Sequence, residues 1–301
     1  MTFSTGIDIG GTKIAAAVYD DKGVVVAHKT VPTPAAYVEL LDSCRKIIGE
    51  FDETCRQKAS IGIGIAGMIN RVRGEVLAPN IPCLKDHPFR DDLQKATGRS
   101  VHLANDADCA ALAEAAEGAG RGYHTVFCLV MGTGAGGGLV IDGKIHQGPH
   151  GLAAEIGHLP LPFRDEKDGP MVECGCGQTG CIDKTISGPA LGRLYRYITG
   201  ISLSDKQHVL TSIEDDTDHG ARVFDQFYTT VAKAMVTVIH TFDPDIIVVT
   251  GGLNKTPGLY DEVPKRWGKY ALSKTLHTKF VPATLGSLTG VKGAALAGRN
   301  S

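Results

Sequence analysis

The sequence has almost no excess charge of either sign: 31 Lys and Arg stand against 33 Asp and Glu, a formal net charge of −2. Such a balance offers no electrostatic footprint for nucleic acid or an anionic membrane, so neither is expected as a partner. An unbroken apolar run is also lacking. The longest apolar stretch, Val126 to Val140, is interrupted by Gly132, Gly134 and Gly136 to Gly138, which rules against a membrane-spanning helix. The first residues, Met1-Thr2-Phe3-Ser4-Thr5-Gly6, show no basic region followed by an apolar one, so no leader is expected. What is present is an ordinary globular composition, 43% hydrophobic and 21% charged over 301 residues. That length favours two lobes with a cleft between them.

Cysteine is not scarce, with eight residues. A chain of this size needs no disulfide staples, and Cys174, Cys176 and Cys181 cluster tightly, so the cytoplasm is the expected compartment and a metal loop the expected use. Cys44, Cys55, Cys83, Cys109 and Cys128 lie mostly in apolar settings and read as small buried hydrophobes.

The 38 glycines gather where the backbone must approach something closely. Phe3 to Ile9 reads as a strand ending in Asp8-Ile9-Gly10-Gly11-Thr12-Lys13. It is followed by strands at Ile14 to Tyr19 and Val24 to Lys29 around a turn at Asp20 to Gly23. Roughly 120 residues later the plan repeats, which predicts two related lobes. There Thr125 to Met131 ends in Gly132-Thr133-Gly134-Ala135-Gly136-Gly137-Gly138, then come Leu139 to Ile141, a turn at Asp142-Gly143 and a strand from Lys144.

Between these units, Tyr37 to Cys55 carries a helical stripe at Val38, Leu41, Cys44, Ile47 and Ile48. Ala107 to Glu117, Val223 to Thr241 and Val291 to Gly298 also read as helices. Ile61 to Ile65, Val101 to Leu103 and Ile246 to Val249 read as strands, and the alternation predicts an α/β fold. Gly118, Gly120 and Gly122 suggest a boundary. The expected division is a lobe of residues 1–120 and a larger lobe of 121–289, with 290–301 packing back on the first.

Four features could carry chemistry. The two glycine turns can aim backbone N–H groups at phosphate oxygens, with hydroxyls from Thr12 and Thr133 and charge from Lys13. Neither turn matches a Walker phosphate loop or a dinucleotide fingerprint, and one alone would more often be a structural hairpin, but two, one per lobe and facing a shared cleft, favour phosphate binding. Asn105-Asp106 ends a strand and opens a helix, a place for an N-cap, for a general base at Asp106 with Asn105 on a neighbouring hydroxyl, or for both. His158 with Cys174, Cys176 and Cys181 forms a Cys3His set, the ligand type of a closed structural zinc site. Glu155, just upstream of that loop, reads on its own as a solvated surface carboxylate, while His158 could bind the metal through one nitrogen and reach the cleft with the other.

Together these residues resemble the ROK family of sugar kinases and related repressors, from Asp8-Ile9-Gly10-Gly11-Thr12-Lys13 to Gly290-Val291-Lys292-Gly293-Ala294-Ala295. The resemblance implies a two-lobed, duplicated actin-like ATPase (ribonuclease H-like) fold with nucleotide and sugar in the interlobe cleft. It implies ATP and Mg2+ held by Asp8, Gly10, Gly11, Thr12 and Lys13 and by Gly132, Thr133, Gly134, Gly136, Gly137 and Gly138. Gly251 and Gly252 would pack by the adenosine. Asp106 would be the base, and Gly67, Asn80, Asn105, Asp106, Glu155, His158 and Asp183 would face the sugar. One structural Zn2+ would sit on His158, Cys174, Cys176 and Cys181. A homodimer is the implied assembly.

Within the family, Gly62 to Met68, Ala78 to Pro82 and Met131 to Gly138 look most like the bacterial N-acetylglucosamine kinases, with fructokinases and mannokinases sharing much of the pattern. The implied reaction is transfer from ATP to the 6-hydroxyl of N-acetylglucosamine. Three departures stand out: Asp183 where the family usually has Glu, Thr250 in place of the first glycine before Gly251-Gly252, and a longer gap from His158 to Cys174. A sugar-responsive repressor of the same family would need a helix-turn-helix region ahead of the first motif, for which Asp8 is expected to leave no room. A catalytically dead sugar-binding protein fits poorly with an intact Asp106, and a hydride-transferring enzyme lacks its helix-opening fingerprint.

Overall fold

The computed structural model describes residues 2–70, 75–203 and 209–299; residues 300–301 of the expected closing segment fall outside them. The chain divides into two compact units, Met1–Arg121 with Gly138–Ala153 and Leu285–Ser301, and Gly122–Gly137 with Ala154–Thr284.

The first sheet is built from β1 (Ser4–Ile9), β2 (Lys13–Tyr19), β3 (Val25–Pro32), β4 (Ser60–Ile65) and β7 (Val101–Asn105), in the order β3-β2-β1-β4-β7. β1 and β2 pair antiparallel, as do β2 and β3, whereas β4 runs parallel to both β1 and β7. Ile7, Ile9, Ile14, Ile61 and Ile63 are buried and form the centre of the core of this unit. α1 (Tyr37–Cys55) covers them with Leu40, Cys44, Ile47, Ile48 and Phe51. This corrects the expected stripe. Val38 is exposed and Leu41 only half-buried, because the face that closes on the sheet is centred on Cys44 and turns Leu40 inward.

A small hairpin, β5 (Met68–Asn70) and β6 (Glu75–Leu77), and α2 (Phe89–Thr97) complete the connection to β7. α3 (Asp106–Glu117) then starts directly from β7. The closing helix, α9 (Thr289–Arg299), lies on β1, β4 and α3. The approach is backbone to backbone: a Cβ on Gly62 would run into Ala294 O, and one on Gly293 into Cys109 O. The chain is led back there by Glu114, a fully buried carboxylate that accepts the N–H groups of Ala119 (2.8 Å) and Leu285 (3.0 Å).

The same strand plan recurs in a second sheet made of β8 (Thr125–Met131), β9 (Ala135–Ile141), β10 (Lys144–Ile145), β11 (Ile246–Thr250) and β12 (Lys279–Pro282), in the order β10-β9-β8-β11-β12. β9 and β10 pair antiparallel, and β11 runs parallel to β8 and to β12. β9 begins earlier than Leu139, so the run Gly136 to Gly138 is strand and not turn. Pairing with β8 and β10 makes this run strand, and glycine is required within it because a Cβ on Gly137 would occupy the Phe127 ring. β11 reads Ile-Ile-Val-Val-Thr and is buried except at Thr250, as a central parallel strand requires.

The helices of the second unit are α4 (Asp183–Ile186), α5 (Gly188–Thr199), α6 (Val209–Glu214), α7 (Gly220–Phe242) and α8 (Leu259–Tyr270). α7 is the longest, with a continuous buried face through Val223, Phe227, Val231, Met235 and Val238. No helix among the described residues is long and apolar enough to cross a membrane.

Candidate active site

In the first unit the sheet order brings Asp8, near the end of β1, close to the start of α3. Burial pushes the Asp8 carboxyl up to about 6, with the Asp106 charge adding to the rise and Lys13 opposing it. Gly64 and Gly290 flank Asp8: a Cβ on Gly290 would lie 3.0 Å from Asp8 Oδ2, and one on Gly64 3.7 Å from Oδ1. The turn after β1 is closed by the Gly10 N–H donating to Lys13 O (3.0 Å) and held by the Thr33 hydroxyl donating to Gly10 O (2.7 Å). Gly11, Thr12 and Lys13 are exposed at its tip. Asn80 leans on this turn, since a Cβ on Gly11 would lie 2.7 Å from Asn80 O.

Asn105 is the N-cap of α3. Its Oδ1 accepts the Ala107 N–H (2.7 Å) and its Nδ2 donates to Gly67 O (2.9 Å), so one side chain starts the helix and fixes the Gly67 loop. Asp106 Oδ1 also accepts the Ala107 N–H, at 3.0 Å. Desolvation raises the Asp106 pKa, with that backbone bond pulling the other way. Asp8, the Gly10–Lys13 turn, Gly67, Asn80, Asn105 and Asp106 are thus gathered within one unit. Thr33 was not singled out from the sequence, and nothing local to it would have marked its role.

In the second unit the glycine turn is narrower than the sequence suggests. Gly132 N–H donates to Gly134 O (2.8 Å), and Gly188 N–H at the start of α5 donates to Gly132 O (2.8 Å). Gly251, at a φ of +90°, lies against the Met131 backbone and leads into a short turn at Gly252–Lys255. Gly157, between Glu155 and His158, sits on Ala135, whose carbonyl a Cβ at Gly157 would strike. Asp183 opens α4 with its Oδ1 accepting the Ala135 N–H at 2.7 Å, while its Oδ2 pairs with Lys184 Nζ at 2.8 Å. Ala135 is the residue that sequence reasoning passed over, because a lone alanine inside a glycine run carries no signal.

The metal set converges as a cluster. The ligand atoms of His158, Cys174, Cys176 and Cys181 all lie within 4.8 Å of one another. His158 Nδ1 is 3.6 Å from Cys174 Sγ, and Cys176 Sγ is 3.6 Å from Cys181 Sγ. A tetrahedral zinc, with bonds of roughly 2.0–2.3 Å, requires ligand separations of about 3.5–3.8 Å, so these donors fit that ion. The Gln178 backbone N–H pulls the Cys176 thiol down to about 7, toward the thiolate form a metal takes. The other imidazole nitrogen, Nε2, lies 4.0 Å from Glu155 Oε2. His158 therefore turns one nitrogen to the cluster and the other toward the candidate sugar-facing acid.

Residues 4–300 match the family model described as "ROK family". The chain is 35% identical over 295 residues to the N-acetyl-D-glucosamine kinase of Vibrio atlanticus (strain LGP32), covering 96% of this chain and 97% of that one. It is 34% identical over 296 residues to the N-acetylgalactosamine kinase AgaK of Shewanella sp. (strain ANA-3), covering 97% and 96%. Among solved structures, it superposes with a TM-score of 0.78 and 29% identity on a ROK family glucokinase from Streptomyces griseus in complex with glucose and AMPPNP, over 99% of this chain and 100% of the other. The fold and these matches define a sugar kinase of the duplicated actin-like ATPase class. The chain belongs to the ROK family.

Proposed function

We propose that this chain is an ATP-dependent kinase that phosphorylates N-acetyl-D-glucosamine on its 6-hydroxyl. The observation that carries this reading is the whole-length likeness to an N-acetyl-D-glucosamine kinase, combined with a carboxylate of raised pKa, Asp106, at a strand-to-helix junction beside Asn105. Asp106 takes the proton of the 6-hydroxyl as that oxygen attacks the γ-phosphorus. The bond from the γ-phosphorus to the β–γ bridging oxygen breaks, and ADP departs with the electron pair. A base whose pKa lies nearer neutrality accepts a hydroxyl proton more readily than an ordinary carboxylate does.

Asp8, Gly10, Gly11, Thr12 and Lys13, with Gly132, Thr133, Gly134 and Gly136, are assigned to the triphosphate, and Gly251 and Gly252 to the adenosine. Mg2+ bound with the nucleotide would neutralise phosphate charge, and Asp8 is assigned to hold it. Gly67, Asn80, Asn105, Glu155 and His158 are assigned to sugar hydroxyls. The Cys3His cluster is assigned one Zn2+ with an architectural role, since four protein donors leave no open position. A cytoplasmic homodimer goes with this reading, and eight free thiols suit a reducing compartment.

A second reading, N-acetylgalactosamine as the preferred sugar, has the support of an almost equal identity to AgaK. Both sugars carry the 2-acetamido group and differ only at the 4-hydroxyl. The deciding experiment is a coupled ADP-release assay with N-acetylglucosamine, N-acetylgalactosamine, N-acetylmannosamine, glucose, mannose and fructose at equal, subsaturating concentration. N-acetylglucosamine is expected to give the highest kcat/KM, and glucose to be poorer by about 10²-fold because the donors for the acetamido group are left unpaired. Faster turnover of glucose or fructose overturns the substrate assignment, and no turnover of any sugar overturns the kinase.

A further inference from the structure

Asp183 stands at a position where the family usually carries a sugar-facing glutamate, but its geometry points elsewhere. The side chain is largely enclosed, at 14% exposure. Its Oδ1 accepts the Ala135 N–H at 2.7 Å, and a Cβ on Gly134 would come within 2.8 Å of the same oxygen. Its Oδ2 is engaged by Lys184 Nζ at 2.8 Å and faces Cys174 Sγ at 4.0 Å. The carboxylate is thus directed at the backbone of the glycine turn, with the cation beside it compensating its charge.

We infer that Asp183 is a positioning residue that holds the Gly132–Gly134 turn through the Ala135 amide and ties that turn to the Cys3His loop. The inference rests on the proposal that this turn receives the nucleotide phosphates. Three observations support it together. A turn made of Gly132, Thr133 and Gly134 has few side chains to restrict it, and glycine loses the most conformational freedom when ordered, so an external anchor matters more here than in an ordinary turn. Ala135 is the residue that both neighbours of the metal loop reach: Gly157, next to His158, lies on its carbonyl, and Asp183, two residues after Cys181, takes its N–H. A bare carboxylate behind a phosphate-binding turn would repel its ligand, and the Lys184 ion pair removes that conflict.

The test separates nucleotide from sugar. Asp183→Ala removes the acceptor, whereas Asp183→Asn is nearly the same size and keeps an oxygen for the Ala135 N–H. Steady-state kinetics with each substrate varied in turn are combined with calorimetric binding of Mg2+–ADP, and with zinc content and thermal melting as checks on folding. Asp183→Ala is expected to raise KM for ATP and Kd for ADP by about 10-fold, the size of one lost charge-assisted hydrogen bond. KM for the sugar should change by less than about twofold on the same scale. Asp183→Asn should recover most of the nucleotide affinity even if the alanine variant folds poorly. A rise in sugar KM with ADP binding unchanged in both variants overturns the positioning role, makes Asp183 a sugar ligand and leaves the kinase intact. Unchanged values throughout overturn it as well. A parent protein that neither turns over sugar nor binds ADP overturns the kinase reading itself.

Discussion

Lys233 and Asp168 form an ion pair shut off from solvent: Nζ lies 2.7 Å from Oδ2, and each side chain has 0% exposure. Asp168 also accepts bonds from Thr230 Oγ1 (3.0 Å), Gln226 Nε2 (3.2 Å) and the Asp165 N–H (2.8 Å). Burial opposes the Lys233 charge, yet the bonds to Asp168 and Asp165 outweigh it and raise its pKa. The stretch between His158 and Cys174 is therefore anchored on α7 rather than left loose. Asp168→Ala leaves the buried ammonium largely stranded, with only the exposed Asp165 carboxylate at 3.1 Å, and urea unfolding should show a loss of roughly 3 kcal/mol. The double variant Asp168→Ala/Lys233→Met should regain part of that loss, because the stranded charge is gone. No recovery would assign the loss to the Thr230 and Gln226 hydrogen bonds instead.

Asp106→Asn retains size and shape but cannot take a proton. Turnover should fall by roughly 10²–10⁴-fold while sugar affinity changes far less. Because burial raises the Asp106 pKa, the acid limb of kcat/KM in the parent enzyme should lie above the ordinary carboxylate range, with activity lost as pH falls through it. A pH–rate profile whose acid limb sits at or below about 4, the usual value for aspartate, would move the base to another group.

Asp8 offers a stability readout with a definite sign. Its folded pKa is about 6 against 3.8 for the free side chain, chiefly through burial. The folded state therefore holds a proton that the unfolded state releases, and stability declines as pH rises from about 4 to about 6. In zinc-loaded protein without Mg2+ or nucleotide, Asp8→Asn should raise stability above about pH 6, by at most ~3 kcal/mol, and the gain should vanish near pH 4. Turnover should collapse in the same variant. Melting curves that show the same gain at both pH values would mean that charge burial is not its source.

One zinc per chain is expected by elemental analysis of protein purified without chelator, and Cys176→Ser should lose it. Since ligand binding and loop closure are one process, the variant should also melt lower and show a raised sugar KM through Glu155 and His158. Full zinc occupancy in Cys176→Ser would remove that thiolate from the ligand set.

Much of the architecture is legible along the chain because its signals are local. β1, β2, β8, α1, α3 and α7 follow from runs of apolar residues with period two or 3.6, broken by glycine or aspartate turns. Asn105 as a cap follows from its residue type at a strand-to-helix junction. The Cys3His residue set is legible because three cysteines fall within eight residues, whereas the meeting of His158 with them depends on how the stretch between them folds. α2, α5, α8 and β12 carried weaker patterns and were not anticipated.

The sequence by itself determined the repeated strand–turn–strand plan, the residue types of the metal set and the junction that presents Asp106. Only the tertiary structure decided which glycines form a turn and which form a strand, since Gly137 belongs to β9 by its place in the sheet between β10 and β8, and the Phe127 ring on β8 fills the space a side chain there would need. It decided that α1 buries Leu40 fully, leaves Leu41 at the edge of the core and exposes Val38, and that α9 lies on β1 and β4 through bare glycine backbone. It also decided that the Asp183 carboxylate meets Ala135, 48 residues away. The physical reason is common to all four: periodicity and residue type are properties of a few consecutive residues, whereas the choice of partner depends on close packing among segments far apart in the chain.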